Sequence, residues 1–152
     1  MELETDIIIK TVSENDFESY GILRHKLWPQ DTIDEHVSEI SALYREQNYI
    51  AIIAYLNNQP IGFAEVSMRP YVNGCLYRPV GFLEGIWVDP KFQRHGVGGA
   101  LVQFCEMWSK ENGAKELGSD AYLENEVSHL SHQNWGFEMT EKVVYFRKKL
   151  SD

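Results

Sequence analysis

The chain has 152 residues, 43% of them hydrophobic, and 23 Asp and Glu against 14 Lys and Arg give it a formal net charge of −9. This length fits one globular domain. The charge argues against nucleic-acid binding, because such binding needs Lys and Arg to neutralise phosphates, and no apolar run approaches the roughly 20 residues that cross a bilayer. An acidic surface attracts cations, although solubility alone would also explain it.

The first half of the chain predicts strands and helices in mixed order. In chain order these are a strand over 6–12, a helix from 13 to the residue before Pro29, a helix opened by Thr32, and strands over 49–56 and 61–68. Ser13 and Asp16 are spaced as in a capping box, which marks a helix start. The polar residues 57–60 separate the two later strands and predict a hairpin turn.

The second half of the chain continues the mixed order of strands and helices after a polar loop over 69–80. It predicts a strand over 81–88, a helix from Val97 to about Gly113, a strand over 115–119, a helix over 126–135 and closing strands over 137–149. The first of these helices is predicted to bury Val97, Leu101, Phe104, Cys105 and Trp108. No linker or repeat interrupts the chain, so we expect a single domain over residues 1–152.

A glycine-containing turn, Gln-Arg-His-Gly-Val-Gly at 93–98, lies between a predicted strand and a predicted helix. Backbone N–H groups at a helix start have no intrahelical acceptor and lie at the positive end of the helix dipole, so this turn suits a phosphate. Glycine allows the backbone to approach the anion closely. The spacing matches neither a Walker loop nor the dinucleotide fingerprint. By itself, the turn could also be only a turn.

This turn resembles the acetyl-CoA pyrophosphate loop of the GNAT N-acetyltransferases. Asn125 and the later Gly-Phe-Glu at 136–138 resemble the signature that closes the same fold. Three further segments resemble the aminoglycoside 6′-N-acetyltransferases: Tyr-Val-Asn-Gly-Cys at 71–75, Phe-Leu-Glu-Gly-Ile at 82–86 and Thr-Glu-Lys-Val-Val-Tyr-Phe at 140–146. The resemblance implies a mixed α/β GNAT domain with a mostly antiparallel central sheet, splayed between strands 4 and 5 and flanked by helices.

The resemblance also implies a set of contacts with acetyl-CoA. Backbone groups of Ile86, Trp87 and Val88 would hold the pantetheine arm and the thioester carbonyl, and Asn125 would hold the same arm. The pyrophosphate would lie on the loop residues Arg94, His95, Gly96, Val97, Gly98 and Gly99.

On the acceptor side, the resemblance implies a cationic aminoglycoside bound by carboxylates and aromatic rings. The residues at matching positions are Trp28, Asp31, Tyr71, Glu84, Asp120 and Glu141. Asp120 would also accept a proton from the amine, which is mostly protonated at pH 7 because its pKa is about 10.4 in the lysine reference case.

Each of these carboxylates and rings also has a structural interpretation. Asp120 could cap a turn, Glu84 could form an ion pair within an apolar strand, and Trp28 could be a core residue. Glu84 needs a strand bulge or a cleft-facing surface, because strict alternation places its side chain on the same face of the strand as Phe82 and Ile86. Glu141 could belong to a solvated turn, whereas Tyr71 is harder to explain as core.

One position departs from the family pattern. Many GNAT enzymes have a tyrosine four residues before the Gly-Phe pair, which protonates the leaving thiolate, and here that position is His132. A histidine could serve as this acid, since it titrates near neutrality, or it could be a bystander. His129 and His132 are spaced as metal ligands, but no third ligand has suitable spacing, so no metal is predicted.

The expected function is acetyl-CoA-dependent transfer of an acetyl group to the 6′-amine of aminoglycosides, giving antibiotic resistance. One alternative is a GNAT enzyme for another amine, such as a polyamine or a peptide N-terminus. A second alternative is a non-catalytic binder of a cationic ligand or acyl-CoA.

A cytoplasmic location is expected because the start is acidic, unlike a signal peptide, and the two cysteines predict no disulfide. A homodimer joined by the C-terminal strands is expected from the resemblance, with no nucleic acid or membrane as partner.

Overall fold

The computed structural model describes residues 6–152, which divide into two compact units, one ending at Asp120 and one comprising Ala121–Asp152. The first unit contains β1 (Ile8–Thr11), α1 (Phe17–Leu27), α2 (Ile33–Leu43), β2 (Tyr49–Leu56), β3 (Gln59–Arg69), β4 (Val80–Val88), α3 (Val97–Glu111) and β5 (Leu117–Gly118). The second unit contains α4 (Glu126–Asn134). Short 3₁₀ turns occupy Glu14–Asp16 and Pro90–Phe92. None of the helices in residues 6–152 has both the length and the hydropathy to span a bilayer.

The strands form one sheet in the order β1-β2-β3-β4-β5. The first three pairings are antiparallel, and β5 lies parallel to β4. The predicted hairpin is confirmed, with a tight turn at Asn57 (φ 50°) and Asn58 (φ 63°) between paired Leu56 and Gln59. Asparagine tolerates this left-handed conformation because its short side chain can hydrogen-bond locally, which makes the two-residue turn possible.

The helix starts predicted from capping residues are confirmed. The Ser13 N–H donates to the Asp16 carboxylate at 2.8 Å ahead of α1, and α1 ends before Pro29. Thr32 Oγ1 accepts from the Glu35 N–H at 3.1 Å at the start of α2. These contacts satisfy backbone groups that a helix end leaves without partners.

Helices α1 and α2 cover one face of the sheet, where Tyr20, Ile40 and Phe63 are buried in one cluster. Helix α3 packs against β3 and β4. Val97, Leu101 and Cys105 are buried as predicted, and burial raises the pKa of the Cys105 thiol to about 12.

The predicted inner face of α3 is partly wrong. Phe104 and Trp108 are only half-buried, whereas Val102 and Ser109 are buried. The buried stripe follows steps of four residues and therefore passes through Ser109 rather than Trp108. Ser109 fits there because it faces Gly81, where a Cβ atom would collide with the serine hydroxyl.

Three strand predictions are corrected by the structure. The first strand covers Ile8–Thr11 rather than 6–12, and β5 covers only Leu117–Gly118 rather than 115–119. In the second unit, residues 137–152 carry no helix or strand, so the closing strands predicted over 137–149 are absent from the described chain. A strand needs a neighbour that accepts its backbone hydrogen bonds, and side-chain alternation alone does not supply one.

Candidate active site

A cavity of about 630 Å³ lies in the first unit, between α2, the loop from α1 to α2, and strands β2 to β4. Three of the predicted acceptor residues, Trp28, Asp31 and Glu84, line it together. Tyr71 follows the lining residue Pro70 and is 61% exposed. The cavity wall is acidic, with carboxylates from Asp31, Glu39, Glu46, Glu65 and Glu84.

Glu84 owes its position to a bulge in β4. Glu65 pairs with Gly85 and Val66 pairs with Leu83, so Glu84 is the extra residue between two paired positions. The bulge that the sequence required is therefore present, and it directs a charged side chain into the cavity. The Glu84 carboxylate accepts from Ser67 Oγ at 2.6 Å and from Arg69 at 2.7–3.1 Å. The ion-pair interpretation of Glu84 is also correct, because the same residue lies at a bulge and forms an ion pair.

Trp28 is a half-buried wall residue of the cavity, held on several sides. Its ring stacks on His36 with centroids 6.3 Å apart, and the Arg24 guanidinium lies 4.9 Å from the ring centroid. The His36 ring donates to the Trp28 carbonyl at 2.9 Å. A Cβ atom at Gly85 would lie 2.5 Å from the indole, so the ring has room only because the residue after Glu84 is glycine.

A buried ionic group forms part of this wall, and sequence reasoning missed it. Glu65 is 2% exposed, accepts from Tyr20 Oη at 2.7 Å and forms an ion pair with Arg24 Nε at 2.9 Å. Burial raises the pKa of the Glu65 carboxyl, and Arg24 opposes that shift. A carboxylate within the apolar run of β3 was the available signal, since an unpaired buried charge is costly.

The glycine turn predicted to hold a phosphate follows β4 directly. Asp89 caps the Pro90–Phe92 turn by accepting from the Lys91 N–H at 2.9 Å. Arg94 (φ 66°) and Gly96 (φ 81°) both have left-handed backbone. The first intrahelical bond of α3 joins the Ala100 N–H to the Gly96 carbonyl at 3.0 Å.

This turn fits a diphosphate. The N–H groups of Val97, Gly98 and Gly99 precede that first bond and have no acceptor inside the helix. A Cβ atom at Gly96 or Gly99 would meet open space rather than protein, so an anion could approach this backbone. Arg94 and His95 are exposed beside it. Helix α3 is long enough, at 15 residues, to present a developed dipole at this end.

The strands β4 and β5 separate after a short contact. β5 pairs with β4 only at Gly81 and Phe82. Beyond Phe82, β4 has no ladder partner on that side among the residues that the structure describes, and its backbone at Ile86, Trp87 and Val88 lies along this edge. An open strand edge offers unpaired N–H and C=O groups to an extended ligand.

Asp120 lies two residues beyond β5, at the end of the first unit, and its side chain is exposed. It is not among the residues that line the cavity. The structure therefore places Asp120 just past the strand that pairs with β4, at the end where the two strands have separated.

The remaining predicted residues belong to the second unit. Asn125 is the N-cap of α4, and its side-chain oxygen accepts from the Ser128 N–H at 3.1 Å. The His132 Nδ1–H donates to the Ser128 carbonyl at 2.7 Å, and its ring lies against Trp135 and Phe137. Glu141 is exposed. Among the described residues, no group of three or more His, Cys, Asp or Glu could hold a metal ion.

Strand β4 thus leads from an acidic, aromatic cavity to a helix start whose backbone N–H groups suit an anion, as expected of a protein that brings an anionic cofactor to a cationic acceptor. The chain belongs to the acetyltransferase (GNAT) family, whose model matches residues 13–137.

The similarity to individual proteins is more specific than the family match. The chain is 43% identical to an aminoglycoside N(6′)-acetyltransferase type 1 from Acinetobacter haemolyticus over 143 residues, which is 93% of this chain and 98% of the relative. Its fold is similar to the crystal structure of an aminoglycoside antibiotic 6′-N-acetyltransferase from Acinetobacter baumannii, with a TM-score of 0.92, 40% identity, and 96% and 100% of the two chains covered. An aminoglycoside N-acetyltransferase in complex with CoA is also similar, with a TM-score of 0.93, 35% identity, and 98% and 99% covered.

Proposed function

We propose that the protein transfers the acetyl group of acetyl-CoA to the 6′-amine of aminoglycosides, and thereby gives resistance to them. The observation that carries this proposal is the placement of Glu84 and residues 86–88 on one strand, beside an acidic cavity. A cationic acceptor bound at Glu84 and a thioester held by the strand edge would then meet at β4. Relatives of that name support it, at 34% to 43% identity over nearly the whole chain.

The chemistry requires an uncharged amine. With a pKa of about 10.4, roughly one amine in 2,500 is deprotonated at pH 7. Acetyl-CoA, when bound, supplies the activated thioester: the C–N bond forms as the C–S bond breaks. Asp120 accepts the proton that the amine loses, directly or through water, and the carboxylates of Glu84, Asp31 and Glu141 hold the acceptor's ammonium groups, including the 6′-ammonium before it loses its proton.

Binding of acetyl-CoA is assigned to the backbone of Ile86, Trp87 and Val88, to the loop residues 94–99 and to Asn125. The open strand edge and the open space at Gly96 support the first two. The Asn125 side-chain oxygen caps α4, so the side-chain amide N–H₂ is the group through which it would bind the pantetheine arm.

The function is tested by measuring thiol release with acetyl-CoA and a panel of acceptors. We expect turnover with kanamycin A, which has a 6′-amine, and none at that position with an aminoglycoside that has a 6′-hydroxyl. A preference for spermidine or for a peptide N-terminus would support the other-amine alternative. Acetyl-CoA binding without thiol release on any acceptor would support the non-catalytic alternative.

His132 is proposed to protonate the leaving thiolate. Because its Nδ1–H donates to the Ser128 carbonyl, the proton would leave from Nε2 of the doubly protonated ring, which returns to the neutral form. His132→Ala is expected to lower kcat by about tenfold with little change in either KM, because the loss falls on the transition state. The effect is modest since a thiol with a pKa of about 8.5 also departs as thiolate.

The matched control for this prediction is His129→Ala, on the same helix. The His129 ring donates to the Tyr122 carbonyl at 2.9 Å, so both substitutions remove one histidine hydrogen bond to backbone. Both rates are measured at saturating acetyl-CoA. Equal kcat values for the two variants would show that His132 acts only through the packing of α4.

A homodimer is proposed, joined through the C-terminal segment 137–152. Val144, Tyr145 and Phe146 are 75%, 80% and 92% exposed, and such a run of exposed apolar residues is typical of an interface. We expect sedimentation at twice the chain mass of 17.6 kDa. Replacing Val144 and Phe146 by serine should give a monomer, whereas a wild-type monomer at micromolar concentration would contradict the proposal.

We further propose that the two units form one domain over residues 1–152 and that the protein is cytoplasmic. The family match over 13–137 runs across the boundary at Asp120, which supports a single domain. Both cysteines, Cys75 and Cys105, are free thiols, which suits a reducing compartment. Acetyl-CoA is also available there. Recovery of the acetyl-transfer activity in the cytosolic fraction of the source cells would test the location.

A further inference from the structure

Glu84, the central carboxylate of the cavity, already has a cationic partner within the chain. Arg69, the last residue of β3, donates from Nε (3.1 Å) and Nη2 (2.8 Å) to Oε1, and from Nη2 to Oε2 at 2.7 Å. Its guanidinium also lies 3.8 Å from the centroid of the Phe82 ring. An acceptor ammonium group that binds Glu84 must therefore displace Arg69 or share the carboxylate with it.

The two arginines that line the cavity differ in how firmly they are held. The Arg24 side chain is 4% exposed and forms ion pairs with Glu65 at 2.9 Å and with Glu39 at 3.3 Å. The Arg69 side chain is 43% exposed and its ion-pair partner is Glu84. Arg24 is thus part of the buried structure, whereas Arg69 has water available to replace its partner.

We propose that Arg69 is an internal counterion of Glu84 that competes with the acceptor's ammonium group, so that only an acceptor with several ammonium groups binds well. The inference rests on the proposed function, in which Glu84 binds the acceptor. An acceptor with one ammonium group gains little net binding free energy at Glu84, because Arg69 loses its ion pair when the acceptor binds. An acceptor with several also gains from Asp31, Glu39 and Glu46, the other exposed or half-buried carboxylates of the wall, so it overcomes the competition.

The experiment compares two acceptors that present the same reactive group. Kanamycin A carries several amines, and methyl 6-amino-6-deoxy-α-D-glucopyranoside carries only the one corresponding to the 6′-amine. Dissociation constants are measured by calorimetry at fixed ionic strength, because charge effects are screened by salt. For Arg69→Gln, we expect both acceptors to bind up to about fivefold more tightly, because both are relieved of the same competition at Glu84.

Two further variants separate competition from other effects. Arg45→Gln removes the same charge from an exposed arginine that does not line the cavity and should leave both constants unchanged. Arg69→Lys keeps the charge but loses the bidentate contact, so it should tighten binding of both acceptors less than Arg69→Gln, and this smaller tightening tests the inference if Arg69→Gln does not fold. Unchanged or weaker binding of either acceptor by Arg69→Gln would overturn the inference, as would the same tightening by Arg45→Gln. Acetylation of kanamycin A by the wild type decides the proposed function separately.

Discussion

Asp120→Asn is expected to lower kcat/KM for an aminoglycoside by about 10²-fold or more at pH 7, with an unchanged KM for acetyl-CoA. The amide cannot accept the proton that the amine must lose. The Asp120 side chain is exposed, so the substitution is expected to leave the fold and its stability unchanged. The measurement is thiol release under subsaturating aminoglycoside, together with a thermal melt of both proteins.

The pH dependence separates a base from an electrostatic contact. As pH rises toward about 10, the free amine becomes abundant and a base is no longer needed, so the rate of Asp120→Asn should approach that of wild type. Asp34→Asn, an identical substitution at an exposed position in the first turn of α2, is the control for loss of one negative charge. If the loss of kcat/KM in Asp120→Asn relative to wild type stayed constant across pH, Asp120 would bind the acceptor without acting as base.

The elements that local patterns specify were predicted well. β2 runs from Tyr49 to Leu56 as expected, because its apolar run ends at two asparagines that form the turn. Helix α2 follows the expected Thr32 cap. By contrast, the extent of β5 and the state of residues 137–149 depend on which backbone lies alongside them. That information is non-local, and side-chain alternation does not contain it.

The candidate site likewise contains features that local sequence patterns predict and features that depend on non-local pairing. The bulge at Glu84 was predictable because a charge inside an apolar strand needs either a partner or an exit from the alternation. The same argument applied to Glu65 and to Arg24 indicates a buried ion pair. The Arg69–Glu84 pair could not be found this way, because it depends on the register between β3 and β4, which the bulge itself shifts.

The glycine turn, which is proposed to hold the pyrophosphate, gives the second large expected effect. Gly96→Val should raise the KM for acetyl-CoA by about tenfold or more and leave the KM for the aminoglycoside within about twofold. Valine strains the left-handed backbone at φ 81°, and its side chain would occupy the space where the diphosphate approaches the helix start.

The chain offers a matched control for Gly96→Val at the other end of the same helix. Gly113 also has left-handed backbone, at φ 93°, and a Cβ atom there also meets open space. Gly113→Val therefore imposes a similar backbone strain, costing about 1–2 kcal/mol, but lies at the negative end of the dipole. If only Gly96→Val weakens acetyl-CoA binding, the loss comes from the anion site rather than from reduced stability. Equal increases in the KM for acetyl-CoA in the two variants would refute the assignment of residues 94–99 to the pyrophosphate.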